Sequence, residues 1–377
     1  MKVAHLTSAH PRYDTRIFFK QCRSLAAAGH VVTLVVADGR GDGRRDGVDI
    51  ADVGASSGRF ERIVKSTRRV YERALQIDAD LYHLHDPELM PIGSKLRRRG
   101  KTVVYDAHED LPRQILAKHY LGGITRRVLS HGVDFYQRRA CKRFDAVVTA
   151  TPYIRDRFAR FHPQVVDVNN FPMEGELSGA PDPRLAASPN EPPSVCYVGG
   201  IASIRGIREI VRAMESVKQE CRLQLAGDFK QVSLEQEVMT YTGWGRVEAH
   251  GYLDRDGVRR VLGSSIAGIV TLHPVINYLD ALPVKMFEYM SAGLPVIASD
   301  FPLWREIVEG SDCGLCVDPL NPGAIAEAID FLVANPDRAR EMGANGQRAV
   351  AERYNWQQEE RKLLETYHLL AAAPRLA

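Results

Sequence analysis

Apolar residues fall into two patterns along this chain. Short unbroken apolar runs alternate with longer stretches in which apolar positions recur every three or four residues. The first pattern predicts buried strands and the second amphipathic helices. In the first half, Val3–Leu6, His30–Val36, Leu81–Leu84, Thr102–Tyr105, Ala146–Thr149 and Val165–Val168 read as strands. Thr15–Ala28, Phe60–Leu75, Leu89–Arg99 and Ile124–Phe144 read as helices, with Asp14 suited to cap the first and Gly29 and Gly100 placed to end two of them. Arg40–Asp46 reads as a loop of Gly, Asp and Arg. A second series starts at Ser194–Val198 and continues with strands at Leu223–Ala226, Val247–His250, Ile266–Leu272, Leu294–Ala298 and Gly314–Val317; helices follow at Pro322–Ala334, Pro336–Arg353 and Trp356–Ala372. Strand and helix in alternation predict an α/β protein of two doubly wound domains, 1–172 and 194–353, with a cleft between them. Residues 173–193 are rich in Pro, Ser, Ala and Glu, lack periodicity and read as a linker; 354–377 form a C-terminal helical segment.

Composition narrows the function. The 377 residues carry a formal net charge of only +3 and no stripe of aromatic and basic residues, which argues against nucleic acid as a partner. Of the six cysteines, most sit singly in apolar runs, and Cys313–Cys316 is a lone C-x-x-C, so neither a disulfide framework nor a metal site is expected. No leader-like segment and no run of eighteen apolar residues is present, which leads to an expected cytoplasmic location. The helix at 124–144 carries Arg126, Arg127, Arg138, Arg139, Lys142 and Arg143 against Asp134; this pattern fits either a solvated face or a peripheral contact with an anionic membrane.

The candidate chemistry sits in loops that follow strands, where open α/β sheets bind ligands. Three polar loops in the first half, Ser8–Asp14, His85–Glu88 and Asp106–Asp110, are expected to converge. They supply Asp14, Arg16, His85, Asp86, His108 and Glu109, residue types suited to sugar hydroxyls or to proton transfer. In the second half, paired Gly199 and Gly200 followed by Arg205 leave room for backbone to approach a phosphate beside a cation. The stretch His273–Asp300 reads as a polar loop, a helix entered at Leu282-Pro283, a stop at Gly293 and a buried strand. Its helix N-terminus suits an anion; Lys285 lies in the first turn and Glu288 on the same side, placed either as an exposed ion pair or as a phosphate cation and a diol acceptor. Asp78-Ala-Asp80 precedes its strand, so no metal is predicted there.

From Asp280 to Ser299 the chain resembles the E-x7-E region and the following E-Y-M-x-x-G-x-P-V-I-A-S of the retaining glycosyltransferases of family 4, and the resemblance extends over nearly the whole chain. It implies the GT-B fold, with 354–377 crossing back to the first domain through a helix that begins near Tyr354-Asn-Trp356. It implies donor binding by Gly199, Gly200, Arg205, Leu282, Lys285 and Glu288, with Glu288 on the ribose hydroxyls. Asp280 stands in the place of the first glutamate, Gly200 where arginine is usual and Arg205 where lysine is usual. His108, in Y-D-A-H-E-D, matches the histidine near the anomeric carbon, so the implied catalytic set is His108, Arg205, Lys285 and Asp280. Asp14, Arg16, His85, Asp86 and Glu109 are assigned to the acceptor side. The implied reaction is metal-independent, retaining transfer of a hexosyl or N-acetylhexosaminyl group from a UDP- or GDP-sugar to a glycan or lipid-linked acceptor in envelope or exopolysaccharide assembly, with no cofactor. The departures at Asp280 and Gly200 also suit a non-catalytic nucleotide-sugar-binding or partner subunit.

Overall fold

The computed structural model describes residues 1–58, 61–118, 121–176 and 192–372. They form two compact units, Met1–Asn170 with Trp356–Ala377, and Phe171–Asn355. Of the segment read as a linker, residues 177–191 lie outside the described residues, as does the predicted helix start at Phe60.

In the first unit, eight strands form one sheet: β1 (Lys2–Leu6), β2 (Val31–Val36), β3 (Gly43–Arg45), β4 (Val48–Asp52), β5 (Leu81–Leu84), β6 (Thr102–Ala107), β7 (Ala146–Thr149) and β8 (Val165–Asp167), in the order β3-β4-β2-β1-β5-β6-β7-β8. All neighbours are parallel except β3 and β4. That hairpin corrects the loop expected at Arg40–Asp46. Its turn, Asp46 and Gly47, has φ of 49° and 80°, the left-handed pair that Asp-Gly adopts between antiparallel strands. A second correction concerns β6, which runs two residues further than predicted, so Asp106 is a fully buried strand residue rather than part of a loop. The C-terminal helix, Trp356–Ala372, belongs to this unit: Trp356 donates its Nε1–H to Ser24 Oγ at 3.0 Å, and Tyr367 is fully buried.

The second unit has a six-stranded parallel sheet of β9 (Ser194–Val198), β10 (Arg222–Ala226), β11 (Val247–Gly251), β12 (Ala267–Val270), β13 (Val296–Ser299) and β14 (Gly314–Val317), ordered β11-β10-β9-β12-β13-β14. β9, β12 and β13 are buried throughout, as in a parallel sheet covered on both faces, whereas the edge strand β11 is largely exposed. Strand order reverses between β9 and β12 here, and between β1 and β5 in the first unit. A doubly wound sheet opens a crevice at such a reversal, outside the carboxyl ends of the strands. The candidate loops of the second unit leave from those strands, and in the first unit two do, with the third following the neighbouring β6.

Candidate functional site

The second unit places the Gly199–Arg205 loop after β9 and the 271–283 loop after β12 side by side. Gly206 is why they can touch. Its φ is 78°, and a Cβ there would lie 2.1 Å from the carbonyl oxygen of Thr271. Gly199 (φ 112°) packs similarly tightly, since a Cβ on Gly227 would meet its carbonyl oxygen at 2.1 Å. The helix Val284–Ser291 starts over this crevice, and no side chain caps it among the described residues. Trp304 anchors its approach by donating Nε1–H to the carbonyl of Ala281 at 2.7 Å. Leu282 packs against the apolar core there.

Lys285 runs back from this helix to the glycines. Its Nζ is sealed from solvent, has no hydrogen-bond partner among the described residues, and lies 3.5 Å from the centroid of the Tyr197 ring. Side-chain atoms of Lys285 come within 3.6 Å of where a Cβ on Gly199 would sit. Burial, and then the nearby Arg205 guanidinium, hold the ammonium well below its usual pKa, with Glu288 acting in the opposite sense. Arg205 is oriented by its own loop, donating Nη1–H to the carbonyl of Gly200 at 2.9 Å; the Tyr197 hydroxyl donates to the same oxygen at 3.0 Å. A buried cation without a partner is costly. An arriving anion would relieve that cost.

Glu288 is held elsewhere. Arg255 donates Nη1–H to its Oε1 at 2.7 Å and pairs on its other side with Glu176. Asp280 is half-buried beside the same helix entry. His273, at the start of the loop, bonds Glu209 at 3.0 Å; burial opposes ionisation of that carboxyl, but the His273 bond, a backbone N–H and the charges of His273 and Arg208 together lower its pKa. Sequence reasoning missed Lys230. The segment Asp228–Lys230 bridges to Ile201 in parallel, which brings the exposed Lys230 within 3.7 Å of a Cβ built on Gly200. A cation thus stands next to the position where the family's arginine is absent.

In the first unit the three predicted loops do meet. Asp86 ties the first two together, its Oδ2 accepting from the Thr7 hydroxyl at 2.8 Å and from the backbone N–H of Ser8 at 2.6 Å, and His85 meets His108 of the third at 3.2 Å. Asp14 caps the following helix, accepting from the N–H of Arg16 and of Ile17 at 2.9 Å each, and pairs with His10; these bonds overcome burial and bring its pKa to about 2. Arg16 is buried and committed, donating to both oxygens of Asp106 at 2.7 and 3.0 Å and to the carbonyl of Val168. Asp14, Arg16 and Asp86, assigned by the sequence to the acceptor side, are thus hydrogen-bonded within the loops that carry them. Glu109 is exposed. His108, with a side chain 18% exposed, stands at the rim, its Nε2 3.2 Å from His85 Nδ1 and 3.3 Å from Asp106 Oδ2. Beneath it lie the fully buried His5, His83 and His85. Among the described residues, the trios His5–His83–His85 and His85–Asp106–His108 have ligand atoms near enough to hold a metal ion.

Residues 182–349 match the family described as glycosyl transferases group 1, and residues 16–170 match the glycosyl transferase 4-like domain. The chain belongs to the group 1 glycosyltransferases. Among relatives, the alpha-maltose-1-phosphate synthase of Mycolicibacterium smegmatis is 27% identical over 63% of this chain and 67% of its own. Three further curated relatives are matched over half their length or less. A sucrose-phosphate synthase from Thermosynechococcus elongatus superposes with a TM-score of 0.78 at 21% identity, covering 99% of this chain and 100% of that one. The Anabaena protein HepE in complex with UDP and glucose gives 0.73 at 15% identity, covering 99% and 100%. At those identities the structures establish the GT-B fold. Among the chain's described residues no helix is long and apolar enough to cross a membrane.

Proposed function

We propose that this glycosyltransferase moves a hexosyl or N-acetylhexosaminyl group from a UDP- or GDP-sugar to a glycan or lipid-linked acceptor, with retention of anomeric configuration and without a metal, in envelope or exopolysaccharide assembly. The observation that carries it is the sealed Nζ of Lys285, which has no hydrogen-bond partner among the described residues, beside Gly199 and Arg205 at a helix start without a side-chain cap. The diphosphate lies there, bound by the backbone at Gly199 and Gly200 and by Arg205, Lys285 and Lys230. These cations neutralise the charge for which other transferases recruit a divalent ion. Glu288, fixed by Arg255, keeps Oε2 for the ribose diol. Asp280 faces the donor sugar.

As the bond to the sugar breaks, negative charge grows on the leaving phosphate, where fixed positive groups lower the barrier most. The acceptor hydroxyl attacks from the same face and gives its proton to a leaving phosphate oxygen. His108 orients sugar hydroxyls. The test is to incubate the full chain with a panel of UDP- and GDP-sugars, with and without glycan acceptors and with and without EDTA. Release of nucleoside diphosphate that depends on acceptor and ignores EDTA, with an α-linked product from an α-linked donor, is expected. Tight nucleotide binding with no turnover on any donor would assign the chain to the non-catalytic alternative.

For a membrane contact, the helix Gly123–Cys141 supplies a specific feature. Ile124, Val128 and Phe135, at helical spacing, are 80%, 65% and 69% exposed, and the exposed Arg127, Arg139 and Lys142 flank them. An exposed apolar ridge between cations suits an anionic bilayer surface. This supports peripheral attachment at the cytoplasmic face, near a lipid-linked acceptor.

A further inference from the structure

Under the rim histidine lies a chain of hydrogen bonds that the donor chemistry does not use. His5 and His83 are register partners on β1 and β5, and His85 lies two residues further on the same face. His83 Nδ1 meets the Tyr367 hydroxyl at 2.7 Å; that hydroxyl meets His5 Nε2 at 3.2 Å; His5 Nδ1 meets His85 Nε2 at 2.9 Å; His85 Nδ1 meets His108 Nε2 at 3.2 Å. Burial keeps His5 and His83 well below the usual imidazole pKa and His85 at about 4, so all three are neutral and each carries one ring proton. With one proton per ring, the bonds can only run in one sense or the other along the whole chain.

Asp106 selects the sense. Its carboxylate is held ionised by Arg16, and Oδ2 lies 3.4 Å from His85 Nδ1, 3.3 Å from His108 Nε2 and 4.0 Å from His83 Nε2. If the bonds run toward His108, the bare nitrogens of both His108 and His83 face this anion. If they run away from His108, only that of His85 does, and the otherwise unpartnered Nε2 of His83 carries its proton toward the carboxylate. The second sense is favoured electrostatically.

We propose that His85 and Asp106 are positioning residues for His108, which hold its ring as the Nε2–H tautomer and leave Nδ1 as the acceptor for a hydroxyl of the sugar substrate. The substrate half of this inference rests on the proposed glycosyl transfer; the tautomer does not. Asp106 already carries the Arg16 guanidinium on both oxygens and a Gln21 N–H on Oδ2 at 2.8 Å, which disfavours a further cation at His85–Asp106–His108. Among the described residues, the charged and titratable groups facing His108 are His10, His85, Asp106 and Asp14, with Asp86 beyond His10 and Arg16 beyond Asp106.

The experiment is ring-nitrogen NMR on the full ¹⁵N-labelled chain, with the His108 signals identified by their loss in His108→Gln. The expected result is a protonated Nε2 and a bare Nδ1 on His108 near neutral pH, and in Tyr367→Phe, where the relay is cut, a mixture of tautomers. A His108 protonated on Nδ1 in the wild type, or a stoichiometric metal ion retained through EDTA, would overturn the proposal. Where turnover is measurable, His85→Asn should lower kcat about tenfold or more with donor KM little changed, as for displacement of a positioned group. A change confined to KM would contradict the positioning role. If no donor turns over, the NMR result still decides the tautomer.

Discussion

Lys285 and Glu288, one helical turn apart, do not pair with each other. Lys285 reaches back to Gly199 with its Nζ unbonded, whereas Glu288 is held by Arg255. The spacing alone allowed an ordinary surface ion pair; the structure separates the two side chains into different tasks. The division predicts different ligand dependence. Glu288→Ala should weaken binding of UDP or GDP about tenfold, the cost of losing a hydrogen bond to a charged acceptor, while leaving inorganic pyrophosphate affinity unchanged. Calorimetric titration with both ligands checks this, and equal losses for the two would place Glu288 on the phosphates instead.

Lys230 is predicted to replace the missing cation at position 200. It is exposed, so its contribution is modest: Lys230→Ala should weaken nucleoside diphosphate binding about two- to fivefold, and the loss should shrink at high salt. A loss that is insensitive to salt would contradict a screened phosphate contact.

Gly206 holds the two ligand loops against each other. Gly206→Ala would combine a left-handed backbone with a Cβ 2.1 Å from the Thr271 carbonyl oxygen, and should destabilise the second unit by about 3 kcal/mol. Urea denaturation measures it; an unchanged midpoint would show that the loops part without penalty.

The buried histidines make the first unit acid-sensitive. His85 titrates at about 4 in the folded protein because burial disfavours its charged form, against roughly 6.5 when unfolded. Between those values the unfolded chain takes up a proton that the folded chain refuses. Stability from this group is therefore complete above 6.5 and lost as the pH falls toward 4, about 3 kcal/mol in all. His5 and His83 shift in the same direction. Thermal unfolding followed from pH 7.5 to 4.5 should show a falling Tm, and a flat profile would mean that these rings take up protons as readily in the folded chain as in the unfolded one.

The ridge on Gly123–Cys141 predicts co-sedimentation with vesicles of anionic phospholipid and not with purely zwitterionic ones. Phe135→Ser and Arg139→Glu should each reduce the bound fraction several-fold. Binding that ignores both lipid charge and these changes would rule this surface out.

Much of this was legible in the chain. Continuous apolar runs marked the parallel strands, and the polar residues just beyond them marked both crevices, because an open sheet places its ligand loops there. Lys285 was legible as a cation at a helix start. What escaped came from tertiary pairing. Lys230 reaches the site only through the bridge between Ile201 and Phe229, and Arg255 reaches Glu288 from a separate helix. Asp106 looked like a loop residue because a charged side chain rarely ends a buried strand; Arg16, ninety positions away in the chain, makes that burial tolerable. The relay to His108 needed both the register of β1 on β5 and Tyr367 from the C-terminal helix, neither visible from local pattern. The β3–β4 hairpin, in contrast, carried its Asp-Gly signal openly between residues read as loop.

The central claim is that an anion completes the buried charge of Lys285. Isothermal titration of wild type and Lys285→Ala with UDP and GDP tests it most directly. The account predicts that at least one nucleotide binds the wild type, and that Lys285→Ala weakens it by about ten- to a hundredfold, the loss of a buried charge-assisted contact. Equal affinity in the two proteins would contradict it.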